Sequence, residues 1–119
     1  MLWILIIASK NKQMNTLESK KALNFDLSDV QLRKCYPSKN YKKAWTDIKK
    51  FLIKNGFTHR QYSGYVSKEP ISMIDTIHII TNMSIYLKWL CYCVKEFDVT
   101  IVGDEYSLKN YIHQENNFM

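Results

Sequence analysis

The cysteines of this sequence show no paired arrangement. Cys35, Cys91 and Cys93 are odd in number, and no two of them form a C-x-x-C motif. None of the three histidines lies at zinc-ligand spacing from the C-x-C of residues 91–93. The pattern argues against a disulfide-rich secreted domain and against a zinc site. It indicates reduced thiols in a cytoplasmic protein.

The sequence also lacks a hydrophobic run that is both long and uninterrupted. Residues 71–94 are about as many as a membrane span needs, but four polar side chains that are costly in lipid interrupt them: Asp75, His78, Asn82 and Lys88. We therefore expect a buried amphipathic helix there and no membrane partner.

The first residues, MLWILIIASK, are apolar but do not fit a signal peptide. No basic residue precedes the run, and no convincing cleavage pattern follows it. We interpret residues 1–20 as an N-terminal extension outside the core domain. It is either an overlong start, with translation beginning at Met14, or a loosely attached extra strand.

Internal repeats and low-complexity tracts are absent as well. The 119 residues suffice for a single domain with one modest core. Hydrophobic residues make up 46% of the chain and aromatic residues 13%, which indicates a folded protein. The net charge of +6 and the isoelectric point near 9.2 favour a polyanionic partner, nucleic acid before membrane.

Two hydrophobic periods follow each other along the chain. Alternation of apolar residues over 22–27 predicts a first strand. A helical stripe over 41–55, which ends at Gly56, predicts a helix. Residues 28–40 between them are expected to form a loop. The later elements are a hairpin of residues 57–61 and 63–67, a helix from Pro70 to about Tyr92, and a last strand, VKEFDVTIV, that ends at Gly103.

The resulting order, β-α-β-β-α-β, predicts an α+β ferredoxin-like fold, a four-stranded antiparallel sheet with two helices on one face. Right-handed crossovers place the third strand between the first and the second, and the fourth on the other side of the first. Residues 21–112 form the domain, and 113–119 are a polar tail.

This topology gathers polar residues from three stretches at one edge of the sheet. Asp26 ends the first strand, Ser63 opens the third and Glu96 opens the fourth; for the two acids, alternation selects the face without helices. The alternative is that the acids are ordinary surface residues and that Ser63 satisfies a turn.

A bare sheet face must be covered, either by nucleic acid or by a second copy of the chain. A homodimer would bring two Asp26 carboxylates together, where they could share a proton or hold Mg²⁺.

The polar face of the first helix carries lysines at helical spacing, including Lys43 and Lys50. Such a run is usually a solvated face, and phosphate contact is the functional alternative.

Residues 21–112 resemble the virulence-associated protein D (VapD) family. Its members are small ferredoxin-like endoribonuclease toxins, related to the CRISPR-associated small nuclease that shares the fold. Five motifs in the right order support the resemblance: ALNFDL, YKKAWTDI, GFTHRQYSGYV, LKWLCYCVKEFDV and YSLKNYI.

The resemblance implies that Asp26 is the principal catalytic acid, which positions or activates water or the RNA 2′-hydroxyl, directly or as a ligand of Mg²⁺. It implies that Ser63 contacts the scissile phosphate and that Glu96 orients groups or acts as a second acid. Three basic residues are candidates for holding phosphate charge, on their sign and expected nearness: Lys34, Arg60 and Lys95.

Two departures from the family pattern bear on rate and substrate preference. The family's Q-G-S hairpin is Gln61-Tyr62-Ser63 in this chain, and its V-R-D is Val94-Lys95-Glu96. The sequence thus predicts a cytoplasmic, homodimeric endoribonuclease that acts as a toxin restrained by an antitoxin protein. The alternatives are a non-catalytic RNA-binding protein and a dimeric adaptor of the same fold.

Overall fold

The computed structural model describes residues 18–61 and 63–112, and its four strands form one antiparallel sheet. The order across the sheet is β2-β3-β1-β4. This confirms the predicted ferredoxin-like fold and the predicted strand order. The strands are β1 (Lys20–Leu27), β2 (Phe57–His59), β3 (Gly64–Ser67) and β4 (Val94–Val102).

Two helices lie in each crossover connection, where one was predicted. The first crossover contains α1 (Asp29–Cys35) and α2 (Lys43–Lys54), and the second contains α3 (Met73–Tyr86) and α4 (Leu90–Cys93). A 3₁₀ turn, Lys109–Tyr111, follows β4. Within residues 18–61 and 63–112, no helix combines the length and the apolar character needed to cross a membrane. The predicted tail, residues 113–119, and the extension up to residue 17 lie outside the described residues.

The prediction of a loop over residues 28–40 is wrong at its beginning, where α1 forms. The Ser28 hydroxyl accepts a hydrogen bond from the Gln31 amide at 3.2 Å, which caps the helix, and Asp29 stands in the first turn. The helix buries Leu32 completely against the core. The S-x-x-Q pattern is the sequence signal for such a helix start.

The prediction of one helix from Pro70 to about Tyr92 is wrong at its start and in its continuity, whereas its end agrees with Cys93, the last residue of α4. Ser72 caps α3 through a hydrogen bond from the Asp75 amide, so Pro70 precedes the helix. At Leu87 the backbone leaves helical geometry, and α4 starts three residues later. The break lets Trp89 and Leu90 turn into the core.

The face predicted for this helix is also partly wrong. The helical period puts five apolar side chains on one face and predicts that they are buried: Met73, Ile77, Ile80, Leu87 and Cys91. Of these, Ile77 and Cys91 are exposed. Thr76 and Met83 are buried in their place.

The core lies between the sheet and the helices. Phe25 stacks on Phe97 of β4 at a centroid distance of 5.2 Å and on Tyr65 of β3 at 6.0 Å. These rings hold the two neighbours of β1 in register on the buried face. The apolar side chains that are fully buried around these rings are Leu23, Leu32, Ala44, Ile48, Leu52, Phe57, Met83 and Cys93.

Candidate active site

Asp26 and Glu96 lie directly opposite each other on β1 and β4. Both are exposed, and they lie on the sheet face away from the helices, hereafter the open face. On either side of Asp26, Phe25 and Leu27 are buried in the core, so strand alternation forces the carboxylate outward. Residues paired in this way have Cβ atoms about 5 Å apart, and like charges there are destabilising. The expected placement of both acids is therefore found.

Lys95 reaches Asp26 because of an irregularity in the pairing of β4. Asp26 pairs with Glu96 and Leu27 with Val94, so Lys95 is an extra residue on β4, a β-bulge. Its ammonium Nζ lies 3.8 Å from Oδ2 of Asp26. The two side chains are 59% and 63% exposed. Water screens a pair this exposed, so the lysine remains able to turn toward a substrate phosphate.

Ser63 is a turn residue, and the prediction that it opens the third strand is wrong by one position. Strand β3 begins at Gly64, which pairs with Asn24, two residues before Asp26. Half-buried Ser63 therefore lies at the same end of the sheet as Asp26. A side chain at Gly64 would place its Cβ 3.1 Å from the Gln61 carbonyl oxygen and 3.4 Å from Oδ1 of Asn24. Gly64 therefore has little room for a side chain, and the turn residue Tyr62 lies outside the described part of the chain.

Arg60 lies over the open face but is engaged by another acid. Its guanidinium donates to Oε1 of Glu105 at 2.7 Å, and both side chains are about half exposed. The two line a shallow hollow on the open face together with Asn24 and Gly64. Arg60 would have to exchange its carboxylate partner for a phosphate in order to contact RNA.

The remaining predicted RNA-binding residues lie in the helical layer. Lys34 is exposed on α1, and Lys43 and Lys50 are exposed on α2, whose buried face packs on the core. The sheet and core separate the two α2 lysines from Asp26. The structure therefore brings together Asp26, Glu96 and Lys95, with Ser63 at the same end, and it does not bring Lys43 or Lys50 to them.

A second polar pair next to the acids was not among the predicted site residues. Asn24 and Asp98 lie opposite each other, one row along the open face from Asp26 and Glu96. Both are exposed. The strand alternation that selected Asp26 also selects these positions, two residues away on each strand.

The acids offer a partial ligand set for a divalent cation. Mg²⁺ is commonly bound by one or two carboxylates together with substrate phosphates, a requirement that Asp26 and Glu96 could meet. In the part of the chain that the structure describes, no three acidic, histidine or cysteine side chains gather in a metal-binding group.

Similarity to known proteins bears on the family of this chain. No family model matches the chain. The chain is similar to Endoribonuclease VapD 2 from Riemerella anatipestifer, with 28% identity over 75 residues, which cover 63% of this chain and 80% of that protein. The similarity confirms the resemblance to the VapD family. It also supports the assignment of the chain to a family of nucleases.

Proposed function

We propose that this protein is an endoribonuclease whose catalytic carboxylate is Asp26. The observation that carries the proposal is the exposed pair of Asp26 and Glu96 on the open face, with the Lys95 ammonium 3.8 Å from Asp26. The similarity to a protein named as an endoribonuclease supports the same activity. A phosphodiester needs a base for its nucleophile and positive charge beside its phosphoryl oxygens, and this arrangement offers both.

In the proposed reaction, the Asp26 carboxylate accepts the proton of the attacking hydroxyl. The new P–O bond forms as the bond to the 5′-oxygen breaks, and the leaving oxygen takes a proton from water, while Glu96 orients the reacting groups. Lys95 stabilises the negative charge of the phosphoryl oxygens, and the Ser63 hydroxyl donates to one of them. Attack by the RNA 2′-hydroxyl leaves a 2′,3′-cyclic phosphate, whereas attack by water leaves a linear phosphate.

The experiment compares the wild type with Asp26→Asn and with a matched control, Asp98→Asn. Asp98 is an exposed carboxylate on the same face, one row away. End-labelled RNA is incubated with each protein, with and without a chelator, and the product ends are identified. We expect Asp26→Asn to lose at least about 100-fold in rate and Asp98→Asn to lose far less. Loss of cleavage with the chelator, reversed by added Mg²⁺, would show that the reaction needs this cation.

Two outcomes would contradict the proposal. The first is cleavage that Asp26→Asn leaves unchanged. The second is a wild type that binds RNA and cleaves none under either metal condition, which would favour the non-catalytic RNA-binding alternative.

The proposed active form is a homodimer in which open faces meet across a two-fold axis. Support comes from the open face itself, whose carboxylates are exposed and which none of the helices in residues 18–61 and 63–112 covers. The partner would supply a second Asp26. The mass from light scattering tells a dimer from a monomer. The cleavage rate of a mixture of wild-type and Asp26→Asn chains tests whether one site needs the Asp26 carboxylates of both subunits. A monomer that cleaves at full rate would contradict this step.

The biological setting is proposed from the family resemblance. The protein would act in the cytoplasm as a toxin, held inactive by an antitoxin protein. Induced expression in a bacterial host should arrest growth for the wild type and not for Asp26→Asn. Equal arrest by both would separate toxicity from RNA cleavage.

A further inference from the structure

A groove lies in the helical layer, between α2 and α3. Its walls include Lys50, Phe51 and Lys54 from α2 and Asn82 and Tyr86 from α3. The groove has a volume of about 880 Å³. This size is within the range of sites that hold small organic groups, such as a nucleotide.

The groove carries an excess of positive charge. Lys50 and Lys54 are one helical turn apart, which places their Cβ atoms about 6 Å from each other. Both are exposed, and neither forms an ion pair within the described chain. The lining also includes the carboxylate of Asp47, which accepts a hydrogen bond from the Tyr36 hydroxyl. Two cations against one engaged carboxylate favour an anionic ligand.

The same groove presents an aromatic ring to solvent. Tyr86 is 73% exposed, although its ring contacts Phe51 at a centroid distance of 6.0 Å and an interplanar angle of 32°. Phe51 therefore supports the ring from within the groove. An exposed, supported aromatic ring beside lysines is the arrangement by which proteins bind single-stranded nucleic acid, through base stacking and phosphate contact.

We propose that this groove binds single-stranded RNA, with a base stacked on Tyr86 and successive phosphates held by Lys50 and Lys54. The inference rests on the proposed function and extends it. The groove lies across the core from Asp26, so it holds a part of the RNA distant from the scissile phosphate. Long substrates gain affinity from it, and short ones that reach only the open face do not.

The test measures binding of fluorescent, 2′-O-methylated single-stranded RNA of about 12 nucleotides, which the 2′-hydroxyl route cannot cleave. We expect Tyr86→Ala to weaken binding at least fivefold, roughly the lower limit for loss of one stacked base. Tyr86→Phe keeps an aromatic face and should bind like the wild type. The double variant Lys50→Gln/Lys54→Gln should lower the dependence of log affinity on log salt by about 0.7 for each phosphate that the protein no longer neutralises.

The matched control is Lys49→Gln, which removes a lysine that is exposed on the same helix but does not line the groove. Groove variants that weaken binding no more than Lys49→Gln would overturn the inference. Equal weakening by Tyr86→Phe and Tyr86→Ala would also overturn it, because stacking would then not be the cause. Thermal unfolding confirms that each variant is folded.

Binding and cleavage fail separately in this design. If Asp26→Asn still cleaves while the groove variants lose affinity, the catalytic proposal fails and the groove remains an RNA site. If Asp26→Asn loses cleavage while the groove variants bind normally, only the groove inference fails.

Discussion

Replacement of Lys95 by glutamine tests whether the ammonium that the β4 bulge brings to Asp26 serves the reaction or the fold. The ammonium lies 3.8 Å from the Asp26 carboxylate, and both side chains are more than half exposed. Coulomb's law gives about 1 kcal/mol for such a pair in water and about 4 kcal/mol at the effective dielectric of a protein surface. Exposed pairs are worth at most about 1 kcal/mol after side-chain entropy and screening are included. We therefore expect Lys95→Gln to change the free energy of unfolding by less than about 1 kcal/mol.

The effect on cleavage should be larger than the effect on stability. Negative charge concentrates on the phosphoryl oxygens in the transition state, and Lys95 is the only basic residue in the described chain that forms an ion pair with Asp26. A partly solvated ammonium beside that charge contributes about 1–2 kcal/mol, which corresponds to about a 5- to 30-fold loss of rate. Single-turnover cleavage of labelled RNA measures this loss, and denaturant unfolding measures the stability.

Lys20→Gln is the matched control, because Lys20 is also exposed and lies on the same face of β1. It is six residues from Asp26, or about 20 Å along the strand, and its replacement changes the net charge equally. Equal loss of cleavage in both variants would show that only the overall charge attracts RNA. A Lys95→Gln protein that cleaves RNA at the wild-type rate would refute the role of the Lys95 ammonium in the reaction.

Three further changes test the fold that positions the site. Ser28→Ala should lower the free energy of unfolding by about 1 kcal/mol, since it removes the cap of α1; chemical denaturation measures it, and an unchanged midpoint would contradict the capping role. Gly56→Ala should cost about 1 kcal/mol in the same assay, because Gly56 has a φ of 90° and no atom would crowd the new Cβ. Burial, with a smaller contribution from the hydrogen bond to Asp47, raises the pKa of Tyr36 from 10.0 to about 12. The folded state therefore favours the neutral phenol, so its stabilising contribution is complete below pH 10 and is lost as pH rises to about 12. Between pH 10 and about 12, the free energy of unfolding measured by denaturation should fall more in the wild type than in Tyr36→Phe, which has no phenol to ionise.

Local patterns were sufficient to predict the sheet and the faces of its central strand. The alternation around Asp26 predicted its exposure, because each neighbouring side chain is large and apolar and must be buried. Right-handed crossovers then left one strand order, β2-β3-β1-β4, which the structure has. The α1 helix was missed although its start signal, Ser28 followed by Gln31, is present in the sequence.

Tertiary contacts decided the parts that no local pattern carries. The break before α4 lets Trp89 and Leu90 be buried, and the helical period of the segment does not predict it. The bulge that brings Lys95 to Asp26 depends on the register between two strands far apart in sequence. Likewise, the ion pair of Arg60 with Glu105 and the groove beside Tyr86 join residues from separate elements.

The sequence by itself determined which side chains of β1 point away from the core, since the two-residue period of a strand depends only on neighbouring residues. It also determined the topology, since the order of elements and the handedness of crossovers leave few arrangements. Only the tertiary structure decided which charged side chains meet on the open face and which lysines lie in the helical layer on the other side of the sheet. Those distances depend on strand register and helix packing, and both are set by the whole core at once.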